Sequence, residues 1–80
     1  MHKSIHSPDQ RKLQRLFRQV RQGAGLRQTD LAKLLQKPQS FVSKYEAGER
    51  RLDLLELRQV CHAVGVSLAN FVERFENSLK

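Results

Sequence analysis

The chain has 80 residues, room for one domain, and a chain this short buries only about 60% of the surface it exposes when unfolded. A second domain is excluded, and a deep ligand cleft would consume much of so small a core, which favours a binding protein over an enzyme. Fifteen lysines and arginines against eight aspartates and glutamates leave a net charge of +7. The excess is uneven: residues 1–51 carry +8 and residues 52–80 carry −1, the pattern of a surface that meets a polyanion.

The single cysteine, Cys61, has no partner for an internal disulfide and no neighbouring His or Cys at zinc-site spacing. His2 and His6 stand four apart, but they fall in residues 1–6, expected to be a disordered tail, so neither metal nor cofactor is expected. The N-terminus has no apolar signal core, and no apolar run approaches the ~18 residues of a spanning helix. The expected setting is therefore the cytoplasm, near the nucleoid, away from membranes.

Ser7, Pro8 and Gln10 form a helix start, and Leu13, Leu16, Phe17 and Val20 follow on one face until Gly23 and Gly25 stop it. Leu26 and Leu31 are placed as a hydrophobic staple, so a second helix begins near Gln28 and runs through Ala32, Leu34 and Leu35 with Arg27 as a poor cap. Pro38 suits the first position of a third helix, with Val42 and Tyr45 inward and Gly48 as its stop. Asp53 and Glu56 make a capping box for a fourth helix, striped by Leu57, Val60, Cys61 and Val64 and ending at Gly65. Ser67 caps a fifth, with Leu68, Phe71, Val72 and Phe75 on one side. No alternating stretch argues for a strand, so residues 7–80 read as a single all-α domain, a compact five-helix bundle.

Counted from Gln28, the small residue Ala32 is fifth, Val42 fifteenth and Tyr45 eighteenth, with Leu31 and Leu35 fourth and eighth. Two helices crossing as a helix-turn-helix need a small residue where their backbones approach and apolar side chains at the other inward positions. The second helix is then held outward, free to enter a major groove about 12 Å wide. With Leu26–Ala32, Pro38–Arg51 and Ala63–Ser67, the sequence resembles the Xre-type helix-turn-helix family of Cro and the lambdoid repressors. The resemblance runs from Leu13 to about Phe75 and implies a lambda-repressor-like domain with the motif at helices two and three. It departs from the family at Gln36, where glycine is common, and at Arg27, where serine or threonine is common.

The resemblance implies a sequence-specific regulator of transcription, a repressor, acting as a homodimer on a near-palindromic stretch of double-stranded DNA in a bacterium or phage. Gln39 and Ser40 match base-contacting positions, and a glutamine amide pairs naturally with N6 and N7 of adenine. Lys44 matches another such position and suits either a guanine edge or a phosphate, while Ser43 projects from the same face as Gln39. Phe41 has two readings, against a thymine methyl or over the edge of the core. Gln28 is expected to hold a phosphate, so Gln28→Ala should weaken all sequences alike. Arg27, Arg50 and Arg51 are placed against phosphates too. Arg21 and Glu46 match an internal ion pair of the family.

The fifth helix and chain end supply Val66, Leu68, Phe71, Phe75 and Leu79, more apolar positions than one core contact needs, which suits a two-fold dimer interface. An antitoxin or protein-interaction module on the same fold is the alternative function. Catalysis is not expected: the chain has no Ser-His-Asp set, no paired carboxylates on one face and no phosphate-cradling glycine loop. No small-molecule effector site is evident either. Nonspecific or RNA binding would want exposed aromatic rings, and the five present fall mostly at core positions.

Overall fold

The computed structural model describes residues 7–80, so the expected tail and the His2–His6 pair lie outside the described residues. Five helices follow one another: α1 (Pro8–Gly23), α2 (Gln28–Leu35), α3 (Gln39–Glu46), α4 (Leu54–Val64) and α5 (Leu68–Ser78). Side-chain chemistry sets most of the starts. Ser7 Oγ accepts from the Gln10 amide at 3.0 Å, and Ser67 Oγ accepts from Asn70 at 3.0 Å. At α4 the box is reciprocal, with Glu56 N–H donating to Asp53 Oδ1 at 2.7 Å and Asp53 N–H to Glu56 Oε1 at 3.0 Å.

Two starts differ from expectation. Pro38 is the residue before α3, not its first member: its ψ of 156° is extended, and the helix opens at Gln39. Arg27 has no acceptor with which to cap α2, and the cap is supplied in reverse. Asp30 Oδ2 takes the Arg27 backbone N–H at 2.9 Å, and the same carboxylate chelates the Arg27 guanidinium at 3.1 Å twice.

The stops after α2 and α3 are tight. Gln36 ends α2 in the left-handed region, at φ 57° and ψ 44°, a conformation that costs a side-chain-bearing residue about 1–2 kcal/mol. Its chain reversal is closed by the Lys37 amide bonding back to Ala32 O at 3.0 Å. Gly48 is glycine because its φ is +79°; a Cβ there would also push aside the end of the Gln14 side chain, 2.6 Å away at Oε1.

The core gathers one face from every helix. Leu16, Phe17 and Val20 of α1 meet Leu31 and Ala32 of α2, Val42 and Tyr45 of α3, Val60, Cys61 and Val64 of α4, and Phe71 of α5. α3 packs on α1 and α2, α4 on α2 and α5, and α5 on α1. The Phe17 ring joins two of these contacts, edge-on to Tyr45 with centroids 5.0 Å apart and stacked on Phe71 at 5.5 Å. Burial pushes the Tyr45 phenol and the Cys61 thiol above their ordinary pKa values, so both stay neutral near pH 7. Cys61 is thus a small packed apolar group.

One expectation about α5 fails on burial. Phe71, placed at the dimer interface by its spacing, is only 1% exposed and stacks inside its own chain, so it has no surface to offer a partner. The apolar edge that α5 does leave in solvent holds half-buried Leu68, Phe75 and Leu79, with Val72 at 44% exposure.

Candidate nucleic-acid interface

The outward end of the α2–α3 pair is built around a buried carboxylate. Glu46, 2% exposed at the end of α3, receives Arg21 Nε at 2.7 Å and Arg21 Nη2 at 3.0 Å, a bidentate pair that ties α1 to α3. The hydrogen bonds that Arg21 donates to Glu46 raise the Arg21 pKa against the opposing effect of burial, and Arg21 Nη1 also donates to Leu26 O at 3.0 Å. This is the internal ion pair that the sequence resemblance implies.

Glu46 also organises what faces outward. Gln28 Nε2 donates to Glu46 Oε1 at 3.1 Å, and Gln39 Nε2 donates to Gln28 Oε1 at 2.7 Å. The direction of this chain is forced: a carboxylate only accepts, so Gln28 must turn its NH₂ inward and its carbonyl toward Gln39. Gln39 must then spend one N–H on Gln28. It is left with one N–H and its carbonyl oxygen side by side on an exposed amide at the first position of α3. Sequence reasoning placed Gln28 and Gln39 separately and missed their link, which joins the start of α2 to the start of α3.

The other residues expected to read bases share the outer side of α3. Ser40 and Lys44 are exposed and four apart; Ser43, four after Gln39, is half-buried. Phe41 lies against the core edge: its ring meets Tyr45 edge-on at 5.6 Å, with Arg50 at 4.7 Å and Lys37 Nζ at 5.5 Å over its ring. Between its two readings, the free protein adopts the scaffold one.

Of the expected phosphate contacts, Arg51 is exposed, and Arg27 is exposed while paired with Asp30. Arg50 is more committed. Its guanidinium donates to Glu56 Oε2 at 2.8 Å, to Glu56 Oε1 at 3.1 Å and to Arg51 O at 2.9 Å, which leaves two of its five donors. That brace was not legible from the loop sequence, because the partner carboxylate was already assigned to the α4 capping box.

The two surface braces make an acid-range prediction. The Arg27 side chain and then its backbone N–H hold Asp30 down from an ordinary value of 3.8 to about 2, and Arg50 followed by the Asp53 N–H holds Glu56 down from 4.5 to about 2. Depressed folded-state values mean that both groups stabilise the fold above their ordinary pKa values, and that this is lost as pH falls from about 4.5 through about 2. The urea midpoint should drop across that window, and less so in Asp30→Asn with Glu56→Gln. Because both pairs are exposed to solvent, raising the salt concentration should shrink the difference. Identical acid profiles for the two proteins at low salt would contradict the assignment.

Two short helices crossed by a tight turn, the second carrying polar side chains outward from a rigid base, define a helix-turn-helix DNA-binding domain. Residues 17–71 match the family described as Helix-turn-helix, and the chain belongs to it, within the Xre-type group of DNA-binding transcriptional regulators. Among solved structures it is similar to an XRE-family-like protein from Pseudomonas syringae pv. tomato str. DC3000, at 36% identity over 96% of this chain and 94% of that one, with a TM-score of 0.84. A tyrosine-to-phenylalanine mutant of the restriction-modification controller protein C.Esp1396I shares the fold at TM-score 0.80 and 24% identity, over 99% of this chain and 95% of that one. No curated protein matches the sequence. Among the described residues, no helix is long and apolar enough to cross a membrane.

Proposed function

We propose that this regulator represses transcription as a homodimer on a near-palindromic operator, with α3 in the major groove. The observation that carries the reading is the hydrogen-bonded chain from buried Glu46 through Gln28 to Gln39. It presents an N–H and a carbonyl in the arrangement that adenine N7 and N6 complement. Ser40, Ser43 and Lys44 complete the base-reading face. Gln28 keeps one amide N–H for a phosphate, and Arg27, Arg51 and the remaining donors of Arg50 flank it.

Dimerisation is assigned to the apolar edge of α5: Leu68, Val72, Phe75 and Leu79, at i, i+4, i+7 and i+11, with Val66 beside them. Two recognition helices would then stand about 34 Å apart, one turn of DNA.

Selection of bound sites from random duplexes tests this directly. The expected result is a two-fold-related consensus that disappears when Gln39→Ala and Lys44→Ala are combined. An unchanged consensus in that double variant would overturn the base-reading assignment. A monomer by sedimentation, both free and on the selected duplex, would overturn the dimer.

A further inference from the structure

α1 and α5 leave a cleft of about 350 Å³ between them, lined by Lys12, Arg15, Leu16 and Gln19 from α1 and by Arg74 and Asn77 from α5. Ser78 closes one wall, its hydroxyl already donating to Phe75 O at 2.6 Å. Lys12, Arg15 and Gln19 share one face of α1 by their i, i+3, i+7 spacing, and Leu16, 5% exposed, forms the floor. No carboxylate lines the cleft, and none of its three cations has an ion pair among the described residues.

Three cations border one space with no carboxylate among its lining residues, an arrangement that an anion would complete. Two of the last carbonyls of α5 already have backbone partners: Leu79 N–H donates to Glu76 O at 3.1 Å and Lys80 N–H to Asn77 O at 3.3 Å. We propose that this cleft binds a compact phosphorylated anion carrying at least two negative charges. Two guanidinium forks match phosphate oxygens in pairs, Lys12 adds a point charge, and the Gln19 and Asn77 amides supply neutral donors. No aromatic ring lines the space to stack a nucleobase, which favours a pyrophosphate or sugar bisphosphate over a nucleotide. None of the lining residues belongs to α2 or α3, the two helices of the DNA-reading motif. The cleft also lies on a different flank of α5 from the Leu68–Val72–Phe75–Leu79 edge, so it does not depend on the dimer.

The test is titration of the full chain with pyrophosphate at constant ionic strength, followed by backbone amide NMR, with sodium chloride as the matched control. Saturating shifts confined to the cleft residues are expected. Arg15→Gln combined with Arg74→Gln should weaken binding at least about tenfold, and Lys12→Gln alone should weaken it less. Both arginines are exposed, so melting should be unchanged, and affinity for the selected duplex should stay within about twofold. Shifts that never saturate, shifts spread over the α2–α3 surface, or a double variant that binds pyrophosphate undiminished would each overturn the proposal. If the double variant instead loses duplex affinity with a shallower salt dependence, the phosphates met there belong to the DNA backbone and the free-ligand site falls.

Discussion

Glu46→Ala is expected to cost about 3–5 kcal/mol of folding stability, because it leaves the Arg21 guanidinium buried without its counter-charge. A domain of this length holds about 4–12 kcal/mol in total, so the variant should be close to unfolding at 37 °C. Removing both charges behaves differently. Arg21→Met with Glu46→Leu should recover much of the loss, since an apolar pair of similar volume strands no charge. Urea unfolding of the two variants checks this: equal losses would mean that the pair itself, rather than the orphaned arginine, carries the stability. Under the proposed roles of Gln28 and Gln39, the double variant should still lose selectivity for its operator, because Gln28 would lose the acceptor that fixes its orientation and Gln39 would be released with it.

Phe17→Ala is the second large effect, about 3–5 kcal/mol, from a ring only 5% exposed that touches Tyr45 of α3 and Phe71 of α5. Truncation would leave a void where α1 meets both α3 and α5. Phe75→Ala provides the contrast. Its ring is half-buried on the edge of α5, so its monomer cost should be the smaller one, while its effect on stability should grow with protein concentration if that edge pairs two chains. A Phe17→Ala loss no larger than that of Phe75→Ala at low concentration would count against the central placement of the Phe17 ring.

The sequence made the fold legible because α1, α4 and α5 announce themselves twice, by a cap and by an apolar period, while α2 and α3 do so by the period alone. Ser7, Asp53 with Glu56, and Ser67 are read correctly from residue type alone, and so is the inward set Leu31, Ala32, Val42 and Tyr45. Periodicity says which residues share a face and not how deep that face sits, which is why Phe71 looked available to a partner and is not. Pairings between distant side chains were hidden for a different reason. A glutamine at a helix start is compatible with solvent, phosphate or a neighbour, and only the position of Glu46 decides for Gln28. The consequence reaches the mutant expectation: under the proposed base-reading role of Gln39, Gln28→Ala should relax the preference at that base in addition to weakening binding overall.

The Arg50 guanidinium, held over the Phe41 ring and clasped by Glu56, has a bearing on how freely α3 can be rewritten. Phe41 belongs to the helix that would be swapped in any graft of new base preferences, whereas Arg50 lies in the following loop and its partner Glu56 in α4. A donor helix with a small residue at that place would strip one layer from the clamp and let a positive charge swing toward the nearest phosphate. The graft would then be expected to grip every duplex more tightly while discriminating less, so a rewritten α3 should keep an aromatic ring at position 41.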